Sequence, residues 1–146
     1  MSNAVRVQSA GYLTQEVVAG RHRLVADEPA ADGGSDQGPN PYELLLAALG
    51  TCTSMTLQLY AKRKGWPLEA VVVELRQERV HGEDCANCDE RDVRVDRIWK
   101  RLILRGPLDE TQRRRLAEIA ERCPVNRTLT GQIRMELELV PEAPLA

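Results

Sequence analysis

The order of apolar and polar residues predicts a small antiparallel sheet at the start of the chain. Three short runs of strand-forming residues, 5–10, 12–18 and 21–27, are separated by glycine-containing turns. Residues 26–41 follow with a high density of Gly, Pro, Asp and Ser, which is typical of an irregular loop. We therefore expect a three-stranded meander and, after it, the most mobile segment of the chain.

A long helix is predicted next, because its start and its end both carry suitable capping residues. Asn40 is a good N-cap, Pro41 suits the first helical position, and Glu43 completes a capping box. Gly65 closes the helix after three cationic residues. Residues 44–49 are apolar on every side of the helix, so they need to be enclosed. Since a chain of 146 residues rarely encloses so long a helix alone, we expect a second subunit to cover part of it.

The second half of the chain predicts a hairpin, another helix and a last strand. Residues 69–81 and 94–104 favour two paired strands, and residues 133–139 alternate between apolar and charged side chains, as in a half-buried strand. A second capping box, at Asp109 and Gln112, starts a helix. Its apolar face carries Leu116, Ile119, Ala120 and Cys123. The predicted order is βββ-α-ββ-α-β, an α+β fold with antiparallel sheets around a long central helix.

Composition and charge exclude several classes of protein. The length fits one domain, residues 1–146, and its core must be aliphatic because the chain has no Phe. The formal net charge is -2 and the cationic residues are spread along the chain, so we expect neither a nucleic-acid nor a membrane partner. The polar N-terminus lacks the apolar stretch of a secretory signal, which makes the cytoplasm the expected compartment.

The four cysteines are the candidate chemistry, because they are too few for a disulfide scaffold. Cys52 lies on an apolar stripe of the long helix with Leu45, Ala48, Leu49, Met55 and Leu59. It is therefore either a small buried hydrophobe or a nucleophile that needs a group to stabilise its thiolate. Cys123 precedes Pro124, which interrupts the second helix, so Cys123 can also cap a new turn. Free N–H groups at such a position favour a reactive thiolate.

A second pair of thiols, Cys85 and Cys88, lies in the charged loop between the two hairpin strands. With His81 they supply three of the four ligands of a structural zinc site, and the sequence offers no clear fourth. The acidic residues that flank both thiols disfavour thiolates and argue against a thioredoxin-like redox pair. A metal site, a labile disulfide and a passive loop pair all stay open.

Three stretches of the sequence carry a specific pattern. They are GRHRLVADEP, the segment GGSDQGPNPYELLLAALGTCTSMTLQLYAKRKGWPLE, and IAERCPVNRTLTG. Together they resemble the OsmC/Ohr family of thiol-dependent hydroperoxide reductases, over residues 5–140. The form PYELLLAALGTCT, followed by a CxxC hairpin loop, is similar to the branch labelled OsmC-like or YhfA-like.

The resemblance implies an intertwined homodimer, in which the Cys-bearing helix of each subunit packs in the shared centre against antiparallel sheets. It implies that Cys52 reduces a small organic hydroperoxide and becomes a sulfenic acid, which Cys123 converts to a disulfide. A dithiol reductant then resets the pair, and no cofactor is needed. It further implies that an arginine of the N-terminal sheet, often from the partner subunit, holds the thiolate, and that a glutamate near the helix start orients this arginine.

The sequence departs from the family pattern at the start of the long helix. The organic-hydroperoxide branch has Asn-Pro-Glu there, whereas Tyr42 takes the place of the glutamate and Glu43 follows it. One residue rotates a helical side chain by about 100°, so Glu43 is either the orienting carboxylate or only a capping residue. Arg21 and Arg23 are both candidates for the arginine, because they lie on one predicted strand and point the same way. Arg21 is the first candidate and Arg23 the second.

Two functions are the main hypotheses. The first is a thiol peroxidase that acts on organic hydroperoxides in oxidative stress defence, with an apolar pocket at the dimer interface. Its catalytic residues would be Cys52, Cys123, Arg21 and Glu43. The alternative is an OsmC-like protein that binds an apolar ligand and has little or no peroxidase turnover, which the loss of Asn-Pro-Glu favours. A module stabilised by a metal in the CxxC loop is a third and weaker hypothesis.

Overall fold

The N-terminal part of the chain forms a three-stranded antiparallel sheet. The computed structural model of the protein describes residues 3–81 and 94–142, with the backbone alone at 80, 81, 94 and 95. Strands β1 (Arg6–Gly11), β2 (Thr14–Ala19) and β3 (His22–Ala26) pair in the order β1-β2-β3. The predicted meander is confirmed. Strand β3 begins one residue later than predicted, so Arg21 lies in the turn after Gly20 and not on the strand.

The loop before the long helix is built around one buried carboxylate, that of Asp27. Asp27 accepts hydrogen bonds from the Thr14 hydroxyl at 2.8 Å and from backbone N–H groups of Glu28, Ser35 and Gln37. Gly38 lies so close to β3 that a Cβ added there would be 2.0 Å from the carbonyl oxygen of Val25. The loop is therefore tied to the N-terminal sheet. Its one regular piece is a single 3-10 turn, Ala30–Asp32.

The long helix α1 (Pro41–Lys64) has the predicted caps at both ends. The Asn40 side chain accepts a hydrogen bond from the Glu43 N–H at 2.8 Å, and the Glu43 carboxylate accepts one from the Asn40 N–H at 3.0 Å. Gly65 follows the helix in the left-handed conformation, with φ 69°, which glycine adopts without strain. Both ends of α1 could thus be predicted from local sequence.

A hairpin and two shorter helices complete the described chain. Strands β4 (Ala70–His81) and β5 (Arg94–Arg105) form an antiparallel pair, as predicted. Helix α2 (Glu110–Ala120) starts with the predicted capping box, since the Asp109 side chain accepts from the Gln112 N–H at 2.7 Å. Helix α3 (Pro124–Thr130) follows with Cys123 as its N-cap.

The core lies between the C-terminal half of α1, helix α2 and the hairpin. Leu57 of α1 and Leu116 of α2 are fully buried there. The other buried members of this cluster are Ala61, Leu108, Ile119 and Ala120. All six are aliphatic, as the composition predicts. By length and composition alone, α1 could cross a membrane, since its mean hydropathy is 1.4. Leu57 and Ala61 nevertheless belong to the core, so α1 is a core helix.

Helix α1 buries a stripe that shares only Leu49 with the one predicted for Cys52. Its buried residues are Leu49, Gly50, Thr53, Leu57 and Ala61. Met55 and Leu59 are instead 65% and 66% exposed, and residues 44–46 are only half-buried. The helix is apolar on nearly every side, so the pattern does not select the face that packs against its own chain.

The strand predicted at residues 133–139 is not formed in the described chain. Residues 132–142 have no regular secondary structure, and Met135, Leu137 and Leu139 are exposed. Alternation specifies the two faces of a strand, but a strand also needs a neighbouring edge to supply its hydrogen bonds. The observed order is βββ-α-ββ-α-α, and the α+β class with antiparallel sheets is confirmed.

Candidate functional site

Two free thiols meet where α1 packs against the start of α3. Cys52 lies near the middle of α1 and is partly exposed, whereas Cys123 is fully buried. The backbone N–H of Val125, in the first turn of α3, donates a hydrogen bond to the Cys52 sulfur at 3.5 Å. The structure therefore brings together the two cysteines that the sequence singled out.

The position of Cys123 follows from the proline after it. Helix α2 ends at Ala120, so Cys123 does not continue its apolar face, contrary to the predicted spacing. Pro124 cannot donate an N–H to a preceding turn, and its fixed φ suits the first position of a new helix. Cys123 therefore adopts an extended conformation, with φ -64° and ψ 148°, as the N-cap of α3. Its side chain makes no regular capping hydrogen bond, although the nearby Asn126 N–H helps to lower the pKa of the thiol.

The surroundings of Cys123 favour its thiolate. Burial raises the pKa of this thiol, because a charged sulfur is poorly solvated inside the protein. Hydrogen bonds and a nearby positive charge outweigh burial and hold the pKa of Cys123 below its usual value. The groups responsible are the Thr53 hydroxyl, the Asn126 backbone N–H, the Cys52 thiol and the Lys100 ammonium group.

Lys100 and Thr53 connect this thiol to the hairpin. The Thr53 hydroxyl oxygen lies 3.4 Å from the Cys123 sulfur and accepts a hydrogen bond from the Lys100 ammonium group at 3.3 Å. Lys100 also donates to the carbonyl oxygen of Ala120 at 2.9 Å, at the C-terminal end of α2. A cation at this end of a helix is favourable, because the last carbonyl groups have no partner within the helix.

A cleft of about 540 Å³ opens on the Lys100 side of the thiols. Apolar groups from Leu49, Ile98 and Leu129 line it together with the charged side chains of Asp96, Lys100 and Glu121. The cleft found within one chain is therefore of mixed polarity. The apolar pocket that we predicted at a dimer interface stays a prediction.

The structure places the two candidate arginines differently. Arg23 lies on β3 and pairs with the carboxylate of Glu16 on β2, in an exposed cross-strand ion pair. Arg21 is exposed in the turn between these strands. The prediction that both side chains point the same way from one strand is wrong, because only Arg23 belongs to the strand. Among the described residues of one chain, neither arginine makes a hydrogen bond with Cys52.

Glu43 and Tyr42, at the start of α1, each have a partner of their own. The Glu43 carboxylate is engaged in the capping box with Asn40. The Tyr42 hydroxyl accepts a hydrogen bond from Arg79 of β4 at 2.5 Å, and the Arg79 guanidinium lies 5.5 Å from the centre of the tyrosine ring. Asp96 of β5 lies 3.5 Å from the same guanidinium. The start of α1 therefore contacts an arginine through Tyr42, and Glu43 serves as a cap.

The candidate metal ligands fall largely outside the structure. Cys85, Cys88 and the side chain of His81 lie outside the described residues, so the metal, disulfide and passive alternatives stay predictions. Within the described part of the chain, no group of three or more His, Cys, Asp or Glu side chains is arranged to hold a metal.

Sequence reasoning missed Lys100 and Thr53, although a signal for both was present. Lys100 occupies the same face of β5 as the apolar residues Ile98 and Leu102, because side chains alternate along a strand. Thr53 lies one helical turn from both Leu49 and Leu57 on the buried stripe of α1. A polar residue within each apolar series indicates a buried polar contact, since such groups are rarely buried without a partner.

Sequence and structure comparisons with known proteins point to the same family and the same fold. The sequence profile of the family described as OsmC-like protein matches residues 33–138. Among curated proteins, no sequence matches the chain. The fold is similar to that of an OsmC like protein from Mycoplasma pneumoniae, with a TM-score of 0.72 and 19% identity over 90% of this chain and 89% of that one.

Two further solved structures share this fold. One is an organic hydroperoxide resistance protein OsmC from Legionella pneumophila, with a TM-score of 0.65 and 18% identity over 90% of each chain. The other is the organic hydroperoxide resistance protein OhrB of Bacillus subtilis, with a TM-score of 0.58 and 20% identity over 90% of this chain and 92% of that one. At these identities the likeness establishes the fold. Together with the profile match over most of its length, it shows that the chain belongs to the OsmC-like family.

Proposed function

We propose that this protein is a thiol peroxidase that reduces small organic hydroperoxides in oxidative stress defence, in the cytoplasm. The observation that carries the proposal is the meeting of Cys52 and Cys123 at the junction of α1 and α3. One thiol is partly exposed and the other is fully buried beside it. This arrangement suits a sequence in which an accessible sulfur reacts with the substrate and a protected sulfur reacts with the product of that step.

The proposed chemistry has three steps. The Cys52 thiolate attacks the O–O bond of the hydroperoxide, so that an S–O bond forms, the O–O bond breaks, and the alkoxide takes a proton to leave as an alcohol. Cys123 then attacks the Cys52 sulfenic acid, forming the disulfide and releasing water. A dithiol reductant finally reduces the disulfide by thiol–disulfide exchange and is itself oxidised to a disulfide. No bound cofactor is required by this sequence.

The apolar surface of the chain supports the homodimer in this proposal. Large apolar side chains are exposed on the N-terminal sheet, on the outer face of α1 and along the C-terminal segment, and a contiguous apolar surface of this kind marks an interaction site. They include Val5, Val7, Leu24, Met55, Leu59, Met135, Leu137 and Leu139. A second copy that covers these faces would also supply an edge for the segment predicted as the last strand. In such a dimer Arg21 would approach the Cys52 sulfur of the partner from the N-terminal sheet.

One observation favours the alternative function, an apolar-ligand binding protein with little turnover. Glu43 is engaged in the capping box and Tyr42 in a hydrogen bond with Arg79, so neither is free to orient Arg21 as the family glutamate does. The two functions differ in a simple way, because binding alone consumes no peroxide.

Consumption of tert-butyl hydroperoxide with a dithiol reductant tests the proposal. The parent protein should turn over many equivalents of peroxide, and Cys52→Ser should abolish the activity. A double variant, Cys85→Ser with Cys88→Ser, is the matched control and should keep the activity of the parent. If the parent consumes no more peroxide than Cys52→Ser, the binding function replaces the peroxidase.

A further inference from the structure

The hydroxyl of Thr53 lies within hydrogen-bond distance of three groups. It lies 2.9 Å from the carbonyl oxygen of Leu49, 3.4 Å from the sulfur of Cys123 and 3.3 Å from the ammonium group of Lys100. A hydroxyl has one hydrogen to donate and two lone pairs to accept with. Lys100 can only donate, so it always occupies one lone pair of the Thr53 oxygen. The direction of the remaining two bonds therefore depends on the protonation of Cys123.

Two hydrogen-bond arrangements follow from this count. With Cys123 as a thiol, the S–H donates to the second lone pair of Thr53, and the hydroxyl donates to Leu49. With Cys123 as a thiolate, the hydroxyl must turn from Leu49 to the sulfur, which otherwise stays buried with one donor fewer. The bond from Lys100 is present in both arrangements. It polarises the hydroxyl as a donor and places a positive charge near the sulfur.

We propose that Lys100 and Thr53 are positioning residues that prepare Cys123 for its attack on oxidised Cys52. The inference rests on the proposed function and adds to it a charge partner for the second thiol, supplied by the same subunit. In that step the Cys123 thiolate forms an S–S bond to the sulfenic sulfur of Cys52. The S–O bond breaks, and hydroxide leaves with its electron pair and takes a proton to become water.

Charged and titratable groups surround this centre. Cys52 faces it from α1 and Lys100 faces it from β5. Asp96 and Glu121 line the adjoining cleft together with Lys100. A variant of Lys100 also loses the bond to the Ala120 carbonyl, so Lys100 must be tested together with Thr53. Thr53→Val removes the connection to the sulfur but leaves the bond from Lys100 to Ala120 in place.

The first experiment does not depend on peroxidase activity. In a background of Cys52→Ser, Cys85→Ser and Cys88→Ser, the thiolate of Cys123 is followed by its ultraviolet absorbance as the pH rises. Lys100→Met and Thr53→Val should each shift the titration to higher pH and lower the thiolate fraction at neutral pH roughly tenfold. Lys100→Arg and Thr53→Ser should restore much of the parent titration.

The matched controls for both variants lie on α1. Lys62→Met removes an exposed cation from the end of α1, and Thr51→Val removes an exposed hydroxyl one residue from Cys52. Both should titrate like the parent. If Thr53→Val also titrates like the parent, then Lys100 serves only as a cap on α2 and the inference is overturned, even if Lys100→Met lowers the melting temperature.

The second experiment measures the step itself in the full chain. After one equivalent of tert-butyl hydroperoxide, sulfenic acid and disulfide are quantified over time by chemical quench and mass spectrometry. Thr53→Val should slow disulfide formation roughly tenfold and slow sulfenic acid formation less. If the parent forms no sulfenic acid, the proposed function fails and the titration alone decides the role of Lys100. Equal slowing of both steps would contradict a role specific to Cys123.

Discussion

The backbone N–H of Val125 donates to the sulfur of Cys52 at 3.5 Å, which links the middle of α1 to the first turn of α3. Because Val125 lies two residues after Cys123, the same turn that holds the buried thiol also contacts the partly exposed one. A small movement of α3 would therefore change the surroundings of both sulfurs together.

The first prediction separates the roles of the two thiols. Cys123→Ser should still reduce one equivalent of peroxide, because Cys52 carries the first step, but should accumulate sulfenic acid that dimedone traps. Mass spectrometry of the adduct checks both its amount and its position. The assigned roles would be reversed if, in the Cys52→Ser variant, dimedone trapped a sulfenic acid on Cys123 that forms as fast as the parent reacts with peroxide.

The second prediction concerns the arginine that activates Cys52. Arg21→Ala should slow peroxide reduction by roughly tenfold or more, since loss of a nearby cation makes the thiolate scarcer. Arg23→Ala is the matched control and should have a smaller effect, because Arg23 already pairs with Glu16. Rates of alkylation at several pH values provide the measurement. If both variants alkylate like the parent at every pH, neither arginine activates the thiol.

The third prediction concerns Asp27 and stability in acid. Burial raises the pKa of Asp27, but hydrogen bonds from Thr14 and from three backbone N–H groups outweigh it and hold the pKa below its usual value. A group whose pKa is lower in the folded state contributes stability above its unfolded pKa and loses it as the pH falls through the folded value. The free energy of unfolding should therefore fall below about pH 4. Asp27→Asn should be less stable at pH 7 and lose less on acidification, as urea denaturation at each pH would show.

The fourth prediction compares two leucines on opposite faces of α1. Leu57 is fully buried, so Leu57→Ala should lower the free energy of unfolding by about 2–5 kcal/mol. Leu59 is 66% exposed within the chain, so Leu59→Glu should leave the core packing intact but weaken the homodimer. Urea denaturation measures the first effect and light scattering at micromolar concentration the second. A parent protein that is already a folded monomer would contradict the dimer.

Local sequence predicted the elements whose ends are determined by neighbouring residues. The capping boxes at Asn40 and Asp109 and the glycine at 65 defined the helices, because each acts within one turn of the chain. Features that depend on distant parts of the chain were missed. The segment 133–139 alternates like a strand but has no edge to pair with in the described chain.

The candidate site shows the same division. The two thiols could be identified from their positions and from the resemblance to a family, whereas the contact of Lys100 with Thr53 joins residues 47 apart in the sequence. Arg21 was misplaced by a single residue at a strand boundary, because the turn that begins at Gly20 includes it. Its relation to Cys52 depends on the arrangement of two copies, which no pattern within one chain specifies.

The most direct test of the account is to map the disulfide formed after one equivalent of tert-butyl hydroperoxide. Digestion under non-reducing conditions and mass spectrometry should yield one linked pair of peptides, which contain Cys52 and Cys123. The link should disappear on treatment with a dithiol and should not form in Cys52→Ser. A bridge between Cys85 and Cys88, with Cys52 and Cys123 both still reduced, would contradict the account.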